Sequence, residues 1–427
     1  MSDTVTPVGG PPVGTPSAGT PSGSTPSGST PSGSRGRRAG ARESILDAIR
    51  LAEPLSRVEL AAMTGLTEAA VSMTVRRLLD EGLVVETGRT PTAGKPRTLL
   101  RLDPAARLAV GIHLDEDVTT YVLTGQTGGI VSRMTRPAPT GTGDEVLDAL
   151  VADVALLIDG SGVERVRCLG VGLVWPGPRG GRTTPRDAPP HLRGNHGDDL
   201  DQRLSAATGM PVLVENDATA AAVGEYWVAR VGPAQAFAAL YMGSGIGAGI
   251  VIDGVALRGA RANAGEFGHL CVQVDGPECW CGGHGCLEAL AGPAVVVAAA
   301  LADPVAAAEA GLDTAGPRRS AAADFAAVAR AARGGAPACL ALIEGSARYV
   351  AAAAESVVNL LDIDLLVLTG PGFAAASFVY GPAITARIAA ADARTWHRSV
   401  SVTVSLAAAT ASATGAAALV LQSSHRG

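Results

Sequence analysis

The chain is almost without lysine: Lys95 is the one lysine among 34 basic residues, so arginine supplies the rest of the positive charge, the mark of a compositional bias. Aromatic residues make up only 3% of a chain that is 47% hydrophobic. Its cores are therefore expected to be filled by alanine, valine and leucine, which suits a helix-rich α/β protein. Long apolar runs are missing too, since the longest, Val295 to Leu301, is stopped by Asp303 and Pro304 well short of bilayer thickness. The first residues lack a basic stretch followed by an apolar one, so no secretory signal is expected. These absences predict a cytoplasmic protein with no membrane partner. In that reducing compartment the six cysteines read as free thiols or metal ligands and not as disulfides.

What is present is length and an uneven distribution of charge. A chain of 427 residues exceeds the usual size of one core, so at least two domains are expected. The formal net charge of -6 conceals a basic segment: residues 35 to 101 hold 12 basic and 8 acidic side chains, which leaves -10 on the remainder. Residues 1–41 form a tail whose Gly, Ser, Thr and Pro repeats carry few side chains able to offset the entropy of ordering. The tail turns basic at Arg35, Arg37 and Arg38, which suits either phosphate contacts or a solvated linker end.

Residues 42–103 read as three helices and a hairpin. Ile45, Leu46 and Ile49 recur at helical spacing, and Pro54 ends that segment. Ser56 with Glu59 makes a capping box for a second helix that closes at Thr64-Gly65. A third helix, from about Glu68 to Glu81 after Thr67, buries Val71, Val75, Leu78 and Leu79. Its opposite face presents Ala69, Ser72, Met73, Arg76 and Arg77, the small, polar and basic set that a major groove accepts. Strands follow at Leu83 to Thr87 and Thr98 to Leu102 around a tip that holds Arg89, Lys95 and Arg97, which reads as a basic wing. A helical hairpin for dimerisation would share the same apolar pattern. The Gly-containing turn, the polar outer face and the basic wing together favour DNA binding.

From Leu108 onward, runs such as LAVGIHL, CLGVGLVW, PVLVEND and DLLVLTG alternate with helical segments, which implies an α/β fold over 104–427. The most specific pattern there is GEFGH at 265 to 269 followed by CWCGGHGCLE at 279 to 288. His269, Cys279, Cys281 and Cys286 supply the four soft or borderline donors that tetrahedral zinc takes, with no open position, so the ion is expected to be structural. His284 is a rival nitrogen donor ranked below His269, and a loop of idle thiols is the plain alternative. Cys168, Cys271 and Cys339 read as small buried hydrophobes.

A second pattern, VLVENDATAAA at 212 to 222, delivers Glu215, Asn216 and Asp217 from a buried strand to the start of a helix, where open α/β sheets bind ligands. There Asp217 is placed to accept a hydroxyl proton and Asn216 to bond a neighbouring hydroxyl. Helix capping by Asp217 would explain the same residue. The glycine-rich LYMGSGIGAGIVIDG at 240 to 254 and LTGPGFA at 368 to 374 present amides to phosphate or simply turn the chain.

Taken together, GEFGH with CWCGGHGCLE, VEND and GSGIGAG make residues 42 to about 422 resemble the ROK family of repressors, open reading frames and sugar kinases. The resemblance implies an actin-like (ribonuclease H-like), two-lobed ATPase fold that closes on a sugar, with an N-terminal winged helix-turn-helix in the regulator branch. It implies sugar contacts from Gly177, Asn216, Asp217, Glu266, His269 and Glu288, with Asp217 the catalytic base in members that are kinases. His269 would then serve metal and sugar through its two ring nitrogens.

The chain departs from the family at the first phosphate loop, where kinases carry Asp-x-Gly-Gly-Thr and this sequence reads GIHLDEDVTT. His113 replaces the aspartate, and Asp115, Glu116 and Asp117 replace the glycines and threonine. Carboxylates repel a polyphosphate and side chains block the backbone approach that glycine allows, so ATP is not expected as a cofactor. The expectation is a sugar-responsive regulator that binds operator DNA as a homodimer or homotetramer, with an ATP-dependent hexose kinase as the alternative.

Overall fold

The computed structural model describes residues 40–90, 96–177, 199–228, 235–313, 320–394 and 399–425. Residues 1–39 of the expected tail, Lys95 and residues 178–198 lie outside the described residues, and Ala41, expected in the tail, already begins a helix.

The N-terminal unit follows the expected order. Helix α1 (Ala41–Ala52) leads through β1 (Leu55–Ser56) to α2 (Arg57–Thr64) and α3 (Glu68–Asp80), and the hairpin β2 (Val84–Thr90) and β3 (Arg97–Leu102) closes on β1 in a three-stranded sheet ordered β1-β3-β2. Local chemistry sets these boundaries. The Ser56 hydroxyl accepts from Glu59 N while Glu59 Oε2 accepts from Ser56 N, and Gly65 ends α2 with φ +67°. Thr67 caps α3 by accepting from Ala70 N. Ile45, Leu46 and Ile49 of α1 pack with Val71, Val75 and Leu78 of α3 in one small core.

Two lobes follow, built on sheets of matching order. The first holds β4 (Leu108–Leu114), β5 (Val118–Gly125), β6 (Ile130–Pro137), α4 (Gly143–Ser161), β7 (Cys168–Trp175), α5 (Leu200–Thr208), β8 (Val212–Asn216) and α6 (Asp217–Val228). The second holds β9 (Phe237–Met242), β10 (Ile246–Ile252), β11 (Val255–Ala256), α7 (Leu287–Ala291), α8 (Pro293–Ala302), α9 (Pro304–Ala310), α10 (Ala321–Arg333), α11 (Pro337–Leu361), β12 (Leu365–Thr369), α12 (Pro371–Arg394) and β13 (Ser401–Val404), after which α13 (Ala411–His425) returns to pack on the first lobe's sheet. The sheets run β6-β5-β4-β7-β8 and β11-β10-β9-β12-β13. In each, two antiparallel pairings precede two parallel ones, so β4 and β9 occupy equivalent places.

Helices α6 and α13 lie between the sheets, and glycine makes their approach possible. A Cβ on Gly111 of β4 would fall 1.8 Å from Ala413 O, and one on Gly415 of α13 would fall 1.6 Å from Ala220 O of α6. The apolar run expected to be longest lies in α8. Against the expectation that no run reaches spanning length, Pro371–Ala391 of α12 has the length and the mean hydropathy, 1.2, of a spanning segment, because alanine and glycine dilute its few polar residues. Its Phe373, Ala376, Tyr380, Ile384 and Ile388 pack into the second lobe's core, and its Arg387 pairs with Glu355 at 2.6 Å.

Candidate functional site: a cleft beside a thiol cluster

β8 ends and α6 begins at the mouth of a cavity of about 390 Å³ between the lobes. All six residues implied as sugar contacts, Gly177, Asn216, Asp217, Glu266, His269 and Glu288, line it. Helix capping falls to Asn216 and not to Asp217, the alternative reading of that residue: Asn216 Oδ1 accepts from Thr219 N at 3.0 Å, while Asp217 is the first helical residue and its Oδ1 accepts from Ala218 N at 2.8 Å. Asn216 Nδ2 donates to Gly177 O at 3.0 Å and to Asp217 Oδ1 at 3.2 Å, tying the turn at Gly177 (φ +103°) to the start of α6. Behind it Glu215 is buried and accepts from Arg258 Nε at 2.8 Å.

The far wall comes from the segment between β11 and α8. Glu288 Oε2 accepts from Ile246 N and Oε1 from Trp280 Nε1, both at 2.9 Å. Partial burial holds the Glu266 carboxyl above its usual pKa against the pull of His269, and nearby Glu288 and Asp217 add to the rise. His269 turns Nδ1 to Cys279 Sγ at 3.6 Å and Nε2 to Glu266 Oε2 at 3.9 Å, so its two nitrogens face the thiols and the cavity respectively.

The donor atoms of His269, Cys279, Cys281 and Cys286 all lie within 4.8 Å of one another, and His284 is not in that group. Gly282 (φ +87°) and Gly285 (φ +64°) make the tight loop, and a Cβ on Gly285 would fall 1.6 Å from Gln273 O. The thiols crowd each other: burial and the neighbouring sulfurs push Cys286 up to about 12, while for Cys281 donors from Gly283 and the other thiols outweigh burial and lower its pKa. Three thiols cannot all ionise in this space without a cation among them, so the donor set fits a metal ion. Of the other cysteines, Cys168 and Cys339 are buried as expected. Cys271 is exposed, because its backbone pairs with Cys286 at the edge of the loop instead of entering a core.

The turn beside Asp217 adds acidic groups. The turn between β4 and β5 is closed by Asp115 N donating to Val118 O at 3.0 Å, and Glu116 at its tip lines the cavity. His113 Nε2 sits 3.7 Å from Asp217 Oδ2, too far for a hydrogen bond but close enough for an ion pair. Burial alone would lower the His113 pKa, yet Asp217 and Asp115 outweigh it and the pKa is raised. Burial raises Asp115.

Among the predicted DNA contacts, the cap Thr67 and Ala69, Ser72, Met73, Arg76 and Arg77 on α3 are exposed, as are Arg89 and Arg97 on the wing. Sequence reading missed Trp280, which lines the cavity and meets the His269 ring edge-on at 4.7 Å. Its place between two predicted metal thiols was the available signal.

The ROK family model matches residues 109–423, and a winged helix-turn-helix DNA-binding model matches residues 41–85. The chain belongs to the ROK family. It is 29% identical over 239 residues to the xylose repressor of Bacillus subtilis (strain 168), a match that covers 55% of this chain and 61% of that one. The chain thus spans about 60% of the length of the curated relatives it matches. A ROK glucokinase from Streptomyces griseus, solved with glucose and AMPPNP, is 27% identical with TM-score 0.59, covering 73% of this chain and 98% of the other. A ROK transcriptional regulator described as a homologue of the E. coli MLC protein shares the fold over 90% of this chain and 97% of its own, with TM-score 0.67 and 23% identity.

Proposed function

We propose that this ROK chain is a sugar-responsive transcriptional regulator, a repressor that leaves its operator when a sugar or sugar derivative fills the cleft. The carrying observation is the lining of that cleft: it offers Asn216, Asp217, Glu266 and His269 to hydroxyls, and it adds the Glu116 carboxylate from the turn that replaces the family's first phosphate loop. Asp217 is also engaged by His113, which competes with its use as a kinase base. The metal is zinc, the ion suited to three thiolates and one imidazole in a closed site. It supplies rigidity there and fixes which nitrogen of His269 faces the sugar.

The division into a tail (1–41), a winged helix-turn-helix (42–103) and a sugar-binding body (104–427) fits this role. Arg76 and Arg77, with Ser72 and Met73, read bases and phosphates; Arg89, Lys95 and Arg97 hold the backbone from the wing. Two copies, as a homodimer or within a homotetramer, read two half-sites in the cytoplasm.

The test begins with a duplex selected by the full chain from random sequence, and anisotropy then follows its release. D-Xylose, D-glucose, N-acetyl-D-glucosamine and their 6- or 5-phosphates are added in turn, with thermal shift as a parallel reading of sugar binding. One of them is expected to weaken DNA binding about tenfold or more, a coupling within the usual allosteric range. A chain that selects no sequence, or ATP-dependent phosphorylation of one of these sugars that Asp217→Asn abolishes, replaces this reading with the kinase.

A further inference from the structure

α6 begins at the cavity and ends against the DNA-reading unit. Asp217, its first residue, lines the cavity beside the cap Asn216. Its last turn meets Arg50 of α1, a guanidinium that is only 1% exposed. Arg50 Nη1 donates to Tyr226 O and to Trp227 O, each at 3.3 Å. The guanidinium carbon lies 4.6 Å from the centre of the Tyr226 ring and 4.7 Å from that of Trp227. Arg50 Nε is 3.8 Å from Asp47 Oδ1 on the same helix. The last carbonyls of a helix have no donor within it and carry the negative end of its dipole, so the buried Nη1 and the helix end satisfy each other, while Nε and Nη2 of Arg50 are held by charge and ring contact without a hydrogen bond.

We propose that Arg50 is the positioning residue through which occupancy of the cleft is passed, along α6, to the DNA-reading helix α3. This rests on the function proposed above. α6 has 12 residues and is buried from Asp217 to Trp227. At 1.5 Å per residue it spans about 18 Å. A Cβ on Gly224 would fall 2.5 Å from Ala411 O, and one on Gly415 would fall 1.6 Å from Ala220 O, so α6 and α13 touch backbone to backbone. A helix packed this closely shifts as a rod and does not bend to absorb a displacement.

Sugar bonds to Asn216 and Asp217 therefore reach the Tyr226 and Trp227 carbonyls as movement. Shifts of about 1–2 Å are the usual scale of such transitions. α1 shares its core with α3, so what moves Arg50 reorients the helix that carries Arg76 and Arg77. The first lobe supplies the pivot: Gln126 Nε2 donates to Leu83 O at 2.9 Å and to Asp103 O at 2.5 Å, at the two ends of the wing. Held at the wing and pushed at α1, the unit rotates.

The test uses the full chain, the selected duplex and whichever sugar of the panel above releases it. Arg50→Met keeps apolar contact with both rings and removes the fork. The ratio of operator Kd with sugar to operator Kd without it is expected to fall about fivefold or more toward one. Sugar Kd by calorimetry without DNA, and operator Kd without sugar, stay within about threefold of wild type. A merely structural role would weaken both affinities and leave their ratio intact.

Arg50→Lys, which keeps the charge but not the fork, is expected to recover part of the ratio. Should Arg50→Met not fold, hydrogen exchange on the unaltered chain decides: sugar is expected to change exchange of amides 49 to 53 about threefold or more, and no change there overturns the proposal. A wild-type sugar response that Arg50→Met retains in full overturns this inference alone. A wild-type chain indifferent to every sugar overturns the proposed function, and this inference with it.

Discussion

The two lobes carry equivalent hairpins, β4-β5 and β9-β10, at equivalent places in sheets of the same order, and the tips hold opposite chemistry. The second keeps its glycines, and packing accounts for them. A Cβ on Gly249 would fall 2.4 Å from Ala218 O, one on Gly247 2.9 Å from Ala218 Cβ, and one on Gly245 2.5 Å from Glu288 Oε2. The contacts at the first tip are polar instead. Asp115 bonds the Glu116 amide at 2.8 Å, Asp117 accepts from Ser320 Oγ at the start of α10, and Glu116 faces the cavity. Helix packing alone requires the glycines of the second hairpin, so their presence says little about nucleotide, whereas the first tip places carboxylates beside the cavity.

The comparison breaks most visibly if the glycines are not structural. Gly249→Val is expected to cost about 3 kcal/mol or more in denaturant unfolding, because a backbone carbonyl cannot yield to the new side chain. Glu116→Ala on the other tip is expected to stay within about 0.5 kcal/mol of wild type. Equal tolerance at both positions would contradict the packing account.

Metal removal sharpens the contrast between lobes. A chelator, or Cys281→Ser, is expected to lower sugar affinity about 10- to 100-fold, as losing a support of a binding residue does. Hydrogen exchange should accelerate over 270 to 286 and not over the β4-β5 hairpin. Metal analysis of the untreated chain is expected to give about one zinc per chain, and protection that ignores chelation would count against the site.

A gain-of-function variant probes the acidic tip directly. Asp115→Gly, Glu116→Gly and Asp117→Thr together are expected to strengthen ADP binding about tenfold or more over wild type, by removing three charges and restoring backbone access. No gain would mean that something other than the tip excludes nucleotide.

The smallest effect is on pH. The folded pKa of His113 is raised above 6.5 by Asp217 and Asp115 against the opposing effect of burial. Its contribution to stability is therefore complete below that value and is lost as pH rises through the folded pKa. Denaturation midpoints measured from mildly acidic to alkaline pH should decline in this window, and His113→Gln should flatten the decline; an identical slope would remove His113 from the account.

What the sequence made legible was local or densely patterned. The Ser56-Glu59 capping box, the Thr67 cap and the buried stripe of α3 each depend on residues a few positions apart, and the structure has them in place. The four metal donors span only 18 positions, from 269 to 286, and glycines mark the loop that gathers them. The alternative reading of Asp217 as the cap of α6 falls one residue off because Asn216 and Asp217 are equally good capping types, and only the start of the helix decides between them.

What stayed hidden joins distant segments. Arg50 meets Tyr226 across 176 positions, and Gln126 meets Leu83 across 43. The sequence shows His113 in place of the aspartate of the family's first phosphate loop, but its pairing with Asp217 requires the parallel neighbours β4, β7 and β8 to be in register. No periodicity in the chain announces such contacts.

The claim that this cleft senses a sugar and no longer phosphorylates one is tested most directly by calorimetry on the full chain already saturated with its sugar. Magnesium-ATP titrated into that complex is predicted to give no saturable heat and no sugar phosphate. Saturable binding, with phosphorylated sugar accumulating and Asp217→Asn stopping it, would contradict the account.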